Sequence, residues 1–231
     1  MGETVTVRTP DGDFAAYIAR PAAPQAPAMV VIQEIFGVNA VMRAIADDYA
    51  AAGYLAICPD LFWRIEPGID ITDHSEAEWK KAFELFNAFD VDLGAKDISA
   101  TLGFIRADAG CSGKAGAVGF CLGGLLAFLT ATRTDVDASA GYYGVGIERH
   151  VAEADKLTDP LLLHIAEQDQ FVPKEAQALI VSALKNHPLV ELYTYPGRDH
   201  AFARKGGEHY DAADAAKANE RTLAFFQKAL G

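Results

Sequence analysis

Gly116-Ala117-Val118-Gly119-Phe120-Cys121-Leu122-Gly123-Gly124 is the stretch on which the fold turns. An apolar run from Lys114 to Val118 leads into it and a helix-like run from Leu125 to Ala131 leads out. Between them lies G-x-C-x-G, the nucleophile-elbow pattern with cysteine at the centre. Such a strand-to-helix turn holds its central residue in strained backbone geometry. Glycines beside it allow backbone contacts that a Cβ would block. The turn also places Cys121 at a helix N-terminus, where the helix dipole favours a thiolate. By itself the pattern equally fits a buried cysteine in a tight turn.

Working outward, Ala28–Ile32, Tyr54–Cys58, Ala138–Tyr143 and Leu161–Ile165 are short, almost uninterrupted apolar runs. Runs of that kind read as parallel strands covered on both sides. Val190–Tyr195 reads as the last strand. Helices are expected from Asn39 to about Ala52, from Ser75, from Leu93 to Arg106, from Lys174 to Lys185 and from Glu208 to Leu230. Trp79, Phe83, Phe86 and Phe89 recur at helical spacing and are expected to face the core. Thr4–Arg8 and Phe14–Ala19, joined by Pro10-Asp11-Gly12-Asp13, form an antiparallel hairpin at a sheet edge. Strand–helix alternation after residue 28 predicts an α/β fold with a mostly parallel central sheet and helices on both faces. At 231 residues, one domain over residues 1–231 without a large cap is expected.

Composition narrows the function. With 32 acidic and 20 basic side chains the net charge is −12. Neither nucleic acid nor an anionic membrane finds a basic footprint on such a chain. A small-molecule substrate is the expected partner. Three cysteines without a CxxC pair fit a reducing compartment. No basic-then-apolar leader begins at Met1, and no run approaches the roughly 18 apolar residues of a membrane span. A cytoplasmic protein, monomeric or weakly dimeric, is expected.

Ligands of open α/β sheets bind at the carboxyl ends of the strands. Glu34, Cys121, Asp169 and His200 each follow a different expected strand. Cys121, Asp169 and His200 occur in the order nucleophile, acid, base. A thiol needs a base, and the base needs an orienting carboxylate. Among the other histidines, His164 sits inside an apolar strand and reads as a hydrogen-bonded core residue. No two histidines have the spacing of a metal site, so neither metal nor cofactor is expected. Glu34 also has a plainer reading, as a cap for the helix that starts near Asn39.

Six ordered blocks together resemble the dienelactone hydrolase family (carboxymethylenebutenolidases). They are Gln33–Asn39, Cys58–Leu61, Gly119–Gly124, Gly141–Gly146, Asp169–Pro173 and His200–Arg204. The resemblance implies an α/β-hydrolase fold and breakdown of aromatic compounds by dienelactone hydrolysis to maleylacetate. It makes Cys121 the nucleophile, His200 the base, Asp169 its orienter and Glu34 a carboxylate that contacts the resting thiol. The backbone N–H groups of Leu122 and Ile35 become the oxyanion hole. Arg204 becomes a ligand of the substrate carboxylate, and Phe36, Tyr143 and Phe171 line the site. In one respect the chain departs from the family: Trp79 stands where a second substrate-binding arginine belongs. Arg64, Lys80 or Lys81 is then a candidate replacement, and Trp79 would make the pocket more apolar. Two alternatives remain open at this point, a broader carboxylesterase or thioesterase and a catalytically silent ligand-binding member.

Overall fold

The computed structural model describes residues 2–231; Met1, where the leader reading begins, lies outside the described residues. Among the described residues eight strands, β1 (Glu3–Thr9), β2 (Gly12–Ala19), β3 (Ala26–Ile32), β4 (Leu55–Pro59), β5 (Cys111–Phe120), β6 (Ala138–Tyr142), β7 (Leu161–Ala166) and β8 (Val190–Tyr195), pair in the order β1-β2-β4-β3-β5-β6-β7-β8. The residues group into two compact units, 1–117 and 118–231, with strand β5 (Cys111–Phe120) running from one into the other. Among the described residues no helix is long and apolar enough to cross a membrane.

In the first unit, β1 (Glu3–Thr9) and β2 (Gly12–Ala19) form the expected antiparallel hairpin, with Val7 opposite Phe14. Along β2, Phe14, Ala16 and Ile18 are buried and alternate with more exposed residues, as a strand with one covered face requires. β2 also pairs antiparallel with β4 (Leu55–Pro59), which pairs parallel with β3 (Ala26–Ile32). Nearly every residue of β3 and β4 is buried, which explains their unbroken apolar runs. Helix α1 (Ala40–Ala51) starts where expected: the Asn39 side chain accepts a hydrogen bond from Met42 N at 3.1 Å. Asn39 therefore caps α1, which removes the plainer reading of Glu34.

Helix α2 (Glu76–Ala88) opens on a reciprocal cap. Ser75 Oγ accepts from Glu78 N, and Glu78 Oε2 accepts from Ser75 Oγ at 2.8 Å. Its aromatic stripe faces the core only in part. Ala82 and Leu85 are the buried residues, whereas Phe83 is 40% exposed and Trp79 half-buried. The rings pack on one another and on buried rings beneath them, Trp79 on Phe36, and Phe89 on Phe62 at 5.7 Å. Trp79 stacks on Phe83 with centroids 5.5 Å apart. Helix α3 (Val91–Arg106) begins two residues before the expected start, because Asp90 accepts from Asp92 N and Leu93 N.

In the second unit, helix α4 (Leu122–Arg133) is buried along almost its whole length and apolar all round. β6 (Ala138–Tyr142), β7 (Leu161–Ala166) and β8 (Val190–Tyr195) pair parallel in that order. Two short 3-10 helices, Ile147–Arg149 and Val151–Lys156, occupy the connection between β6 and β7 and had no periodic signal in the sequence. After α5 (Lys174–Leu184) and β8 comes α6 (Ala212–Leu230). It begins four residues later than expected from Glu208. Asp211 caps it by accepting from Asp214 N at 2.9 Å, and the preceding residues form turns.

Candidate active site

The elbow is built as its glycines require. Cys121 has φ 58° and ψ −115°, which costs a non-glycine residue about 1–3 kcal/mol. A Cβ on Gly119 would lie 1.9 Å from Gly123 O, and one on Gly124 would lie 2.4 Å from Tyr142 O. Only glycine fits either position. The turn is fastened from both sides: Cys121 N donates to Tyr142 O at 3.1 Å, and Cys121 O accepts from Gly124 N at 2.9 Å. Leu122 is the first residue of α4, and first-turn N–H groups have no acceptor within their own helix. Its N–H is thus available in kind for an oxyanion.

The two partners reach the same unit's site from the ends of neighbouring strands. His200 Nδ1 donates to Asp169 Oδ2 at 2.9 Å, with Oδ1 at 3.1 Å. Both side chains are almost wholly buried. Asp169 is itself fixed by Phe171 N at 2.9 Å. On its other side His200 is hydrogen-bonded to Cys121. Burial alone disfavours a charged ring, but its electrostatic and hydrogen-bond interactions with Cys121 and Asp169 outweigh it. The pKa of His200 is raised to about 10. The raised value favours the protonated imidazole, which lies between Cys121 and Asp169. Tyr143 and Phe171 meet its ring edge-on, at 5.0 and 4.8 Å.

Backbone strain concentrates here. Cys121, Tyr143 (φ 39°) and Ala201 (φ 61°) are the non-glycine residues with positive φ among the described residues. Two follow a strand directly and the third follows His200. Strained residues that persist are held by their surroundings and cluster at functional sites. Arg204, half-buried, lies on the same loop as His200, with its N–H donating to Ala201 O at 2.9 Å.

Two supports of this loop were not found from the sequence. Asp199 Oδ1 accepts from His200 N and from Gln170 N at 3.0 Å, joining the loop after β8 to the loop after β7. Arg198 forms ion pairs with Asp211 and with Asp214 at the start of α6. Both residues lie in a short polar loop, where composition alone does not separate a structural carboxylate from a solvated one.

The remaining candidates group in the first unit. Gln33 is completely buried. Its Oε1 accepts from Leu61 N at 3.0 Å and its Nε2 donates to Glu34 O at 3.3 Å. These bonds hold the Glu34–Ile35 backbone. Gly37 (φ 77°) completes the turn, since a Cβ there would lie 2.0 Å from Ile69 O. Glu34 is 3% exposed, an unusual place for a carboxylate without a special role. Phe36 meets Trp79 edge-on at 5.2 Å, and Trp79 Nε1 donates to Asp73 O at 3.0 Å. Phe36, Trp79 and Phe83 thus form an aromatic ladder two residues beyond Glu34. Two of the three candidate replacements for the absent arginine, Arg64 and Lys81, are engaged elsewhere. Arg64 grips Asp97 with two nitrogens at 2.7 and 3.0 Å, also pairs with Asp11, and lies over the Trp63 ring. Lys81 pairs with Glu66.

Comparison with known proteins gives the family. The model of the dienelactone hydrolase family matches residues 14–230. A protein of Azospirillum brasilense, provisionally named a carboxymethylenebutenolidase, is 50% identical over 96% of each chain. The carboxymethylenebutenolidase of Pseudomonas putida is 40% identical over 97% of this chain and 96% of its own. A Klebsiella pneumoniae structure, provisionally titled a dienelactone hydrolase, superposes with a TM-score of 0.84 at 25% identity over 98% of both chains. This chain belongs to the dienelactone hydrolase family, as a hydrolase of carboxylic-ester bonds with an α/β-hydrolase fold.

Proposed function

We propose that the chain opens the lactone or ester bond of a small anionic substrate by nucleophilic catalysis from Cys121, through a thioester acyl-enzyme. The observation that carries this reading is the His200 ring hydrogen-bonded to Cys121 on one side and to Asp169 on the other. The thiolate attacks the carbonyl carbon and the carbonyl π-bond electrons pass to oxygen. The Leu122 N–H, together with the Ile35 N–H that the family resemblance adds, receives the developing charge. One such donor is worth roughly 3 kcal/mol. The tetrahedral species collapses, the C–O bond breaks, and His200 gives its proton to the departing enolate or alkoxide. His200, now neutral, takes a proton from water as the water attacks the thioester. The acid leaves and the thiolate is restored. No cofactor takes part in this scheme.

The family resemblance supports two further assignments. Glu34 contacts the resting Cys121, and Arg204 binds the substrate carboxylate. We also read residues 1–231 as one catalytic domain, monomeric or weakly dimeric, working in the cytoplasm on small molecules alone.

A broader esterase or thioesterase reading is favoured by one feature, the Phe36–Trp79–Phe83 ladder in place of a second arginine. The ratio of kcat/KM for cis- and trans-dienelactone to that for p-nitrophenyl acetate and acyl thioesters separates the two. Preference for the lactones supports the narrow function; equal or lower values refute it. Trp79→Arg is expected to raise kcat/KM for the anionic lactones by roughly tenfold, mostly through KM, because a guanidinium binds a carboxylate with two parallel hydrogen bonds. It should leave the neutral ester within about twofold.

The pH profile follows from His200. The proton it must donate is held below about pH 10 and lost above it. After subtraction of spontaneous hydrolysis, kcat/KM is expected to hold on the alkaline side and fall only near that value. A fall centred near the ordinary histidine pKa of about 6.5 would show that the ion pair does not form.

A further inference from the structure

His164 lies in the middle of β7, 1% exposed, with both ring nitrogens hydrogen-bonded. Nδ1 is 2.8 Å from the Tyr195 hydroxyl and Nε2 is 2.8 Å from Thr222 Oγ1. The proton positions follow from counting donors. Thr222 Oγ1 donates to Ala218 O at 3.0 Å, one turn earlier on α6, so its oxygen acts as acceptor toward the core. It accepts from His164 Nε2–H, and the Tyr142 hydroxyl oxygen, whose own proton goes to Asn219, lies 2.6 Å away. His164 Nδ1 is then the acceptor for Tyr195 O–H, and Tyr195 oxygen accepts from Arg221 at 3.2 Å. Tyr142 also reaches Asn219 Oδ1 at 3.0 Å. Burial, and then the nearby Arg221 charge, push the pKa of His164 down to about 3, so the ring is neutral at physiological pH. Tyr142, Tyr193 and Tyr195 surround it with their rings, the first at 4.4 Å.

Every strand this network touches ends at the candidate site. Tyr142 closes β6, and its carbonyl oxygen receives the Cys121 N–H. The His164 carbonyl receives the N–H of Tyr143, whose strained backbone sets its ring against His200. His164 is five residues before Asp169, and Tyr195 is five residues before His200. The Tyr195 carbonyl receives the N–H groups of Glu167 and Arg198, which stand beside those same two residues. An apolar side chain at 164 would fill the space without desolvating an imidazole. The polar ring instead ties three strand ends to one helix.

We propose that Thr222 and Tyr195, acting through the His164 ring, are positioning residues: they use α6 to hold the ends of β6, β7 and β8 so that Cys121, Asp169 and His200 meet. The proposal rests on the triad assignment above. It is tested with Thr222→Val, a near-isosteric change that deletes the hydroxyl acceptor, and Thr222→Ser, which keeps it. Kinetics with p-nitrophenyl acetate are paired with an NMR titration of the His200 ring, whose facing charged groups are Cys121 and Asp169. Thr222→Val is expected to lower kcat about tenfold with KM within about twofold, as small misplacements of reacting groups do. The His200 titration should move down by about one pH unit as its partners draw apart. Thr222→Ser should restore both. If Thr222→Val does not fold, Tyr195→Phe, which cuts the link from Arg221 to His164, is held to the same expectations. Lowered thermal stability with wild-type kcat and an unmoved titration would overturn the proposal. The NMR readout needs no substrate, so absence of ester turnover in the wild type would refute the proposed function and leave this test standing.

Discussion

Cys121→Ala is expected to abolish hydrolysis of p-nitrophenyl acetate, lowering kcat by about ten-thousandfold or more. Without the sulfur no thioester forms, and what remains is binding and oxyanion stabilisation of a direct attack by water. The variant should fold, because alanine has the same Cβ and meets the same φ of 58°. A far-UV spectrum and thermal melt verify this. Mass spectrometry of enzyme quenched during turnover should show an acyl adduct in the wild type and none in the variant. Turnover above a tenth of wild type would remove Cys121 as the nucleophile. A silent ligand-binding protein would instead show no difference between the two, having no turnover to lose. Cys121→Ser is expected to recover little. A hydroxyl is far less acidic than a thiol, so His200 cannot hold it as a standing anion.

Asp169→Asn is the second large effect. The carboxylate takes the Nδ1–H of His200 and adds a negative charge to a buried imidazolium. The amide keeps the shape and loses both. It can also present its NH2 group to Nδ1 and so favour the wrong tautomer. In a triad this substitution lowers kcat by about 10^3- to 10^4-fold. The alkaline limb of the pH profile should move down at the same time, because one of the forces raising the His200 pKa is gone. A mutant that loses rate with an unmoved limb would place Asp169 outside the pair. Asp169→Ala should be no more active and less stable, since Phe171 N then loses its buried acceptor as well.

The two predictions draw on different parts of the molecule. Cys121 was legible locally: glycines at 119 and 123 around a cysteine, after a strand and before a helix, describe one turn and one conformation. The structure adds that Gly119 and Gly124 are excluded from any other identity by backbone carbonyls within bonding range of a Cβ. Asp169 is one of 32 acidic residues. It was singled out only by its place at the end of an expected strand; β7 and β8 pair in parallel register and bring Asp169 and His200 side by side.

Errors arose where the deciding interaction was not periodic. The aromatic stripe of α2 has core spacing, yet its rings pack on one another and on Phe36, leaving Ala82 and Leu85 to face inward. Helix starts slipped by two to four residues because Asp90 and Asp211 are capping residues in a chain full of aspartates. Arg64 resembled a spare substrate ligand, but Asp97, 33 residues away in sequence, holds it.

The strand pattern, the hairpin, the elbow and the order of Cys121, Asp169 and His200 were therefore determined by the sequence itself, because backbone sterics and the burial of apolar runs act over a few residues. Tertiary structure alone decided the charge state of His200, the engagement of Arg64, the outward ladder of Trp79 and Phe83, and the binding of His164 to Thr222 on α6. Each depends on a partner distant in the chain and on the removal of water around the pair, and neither is encoded by spacing.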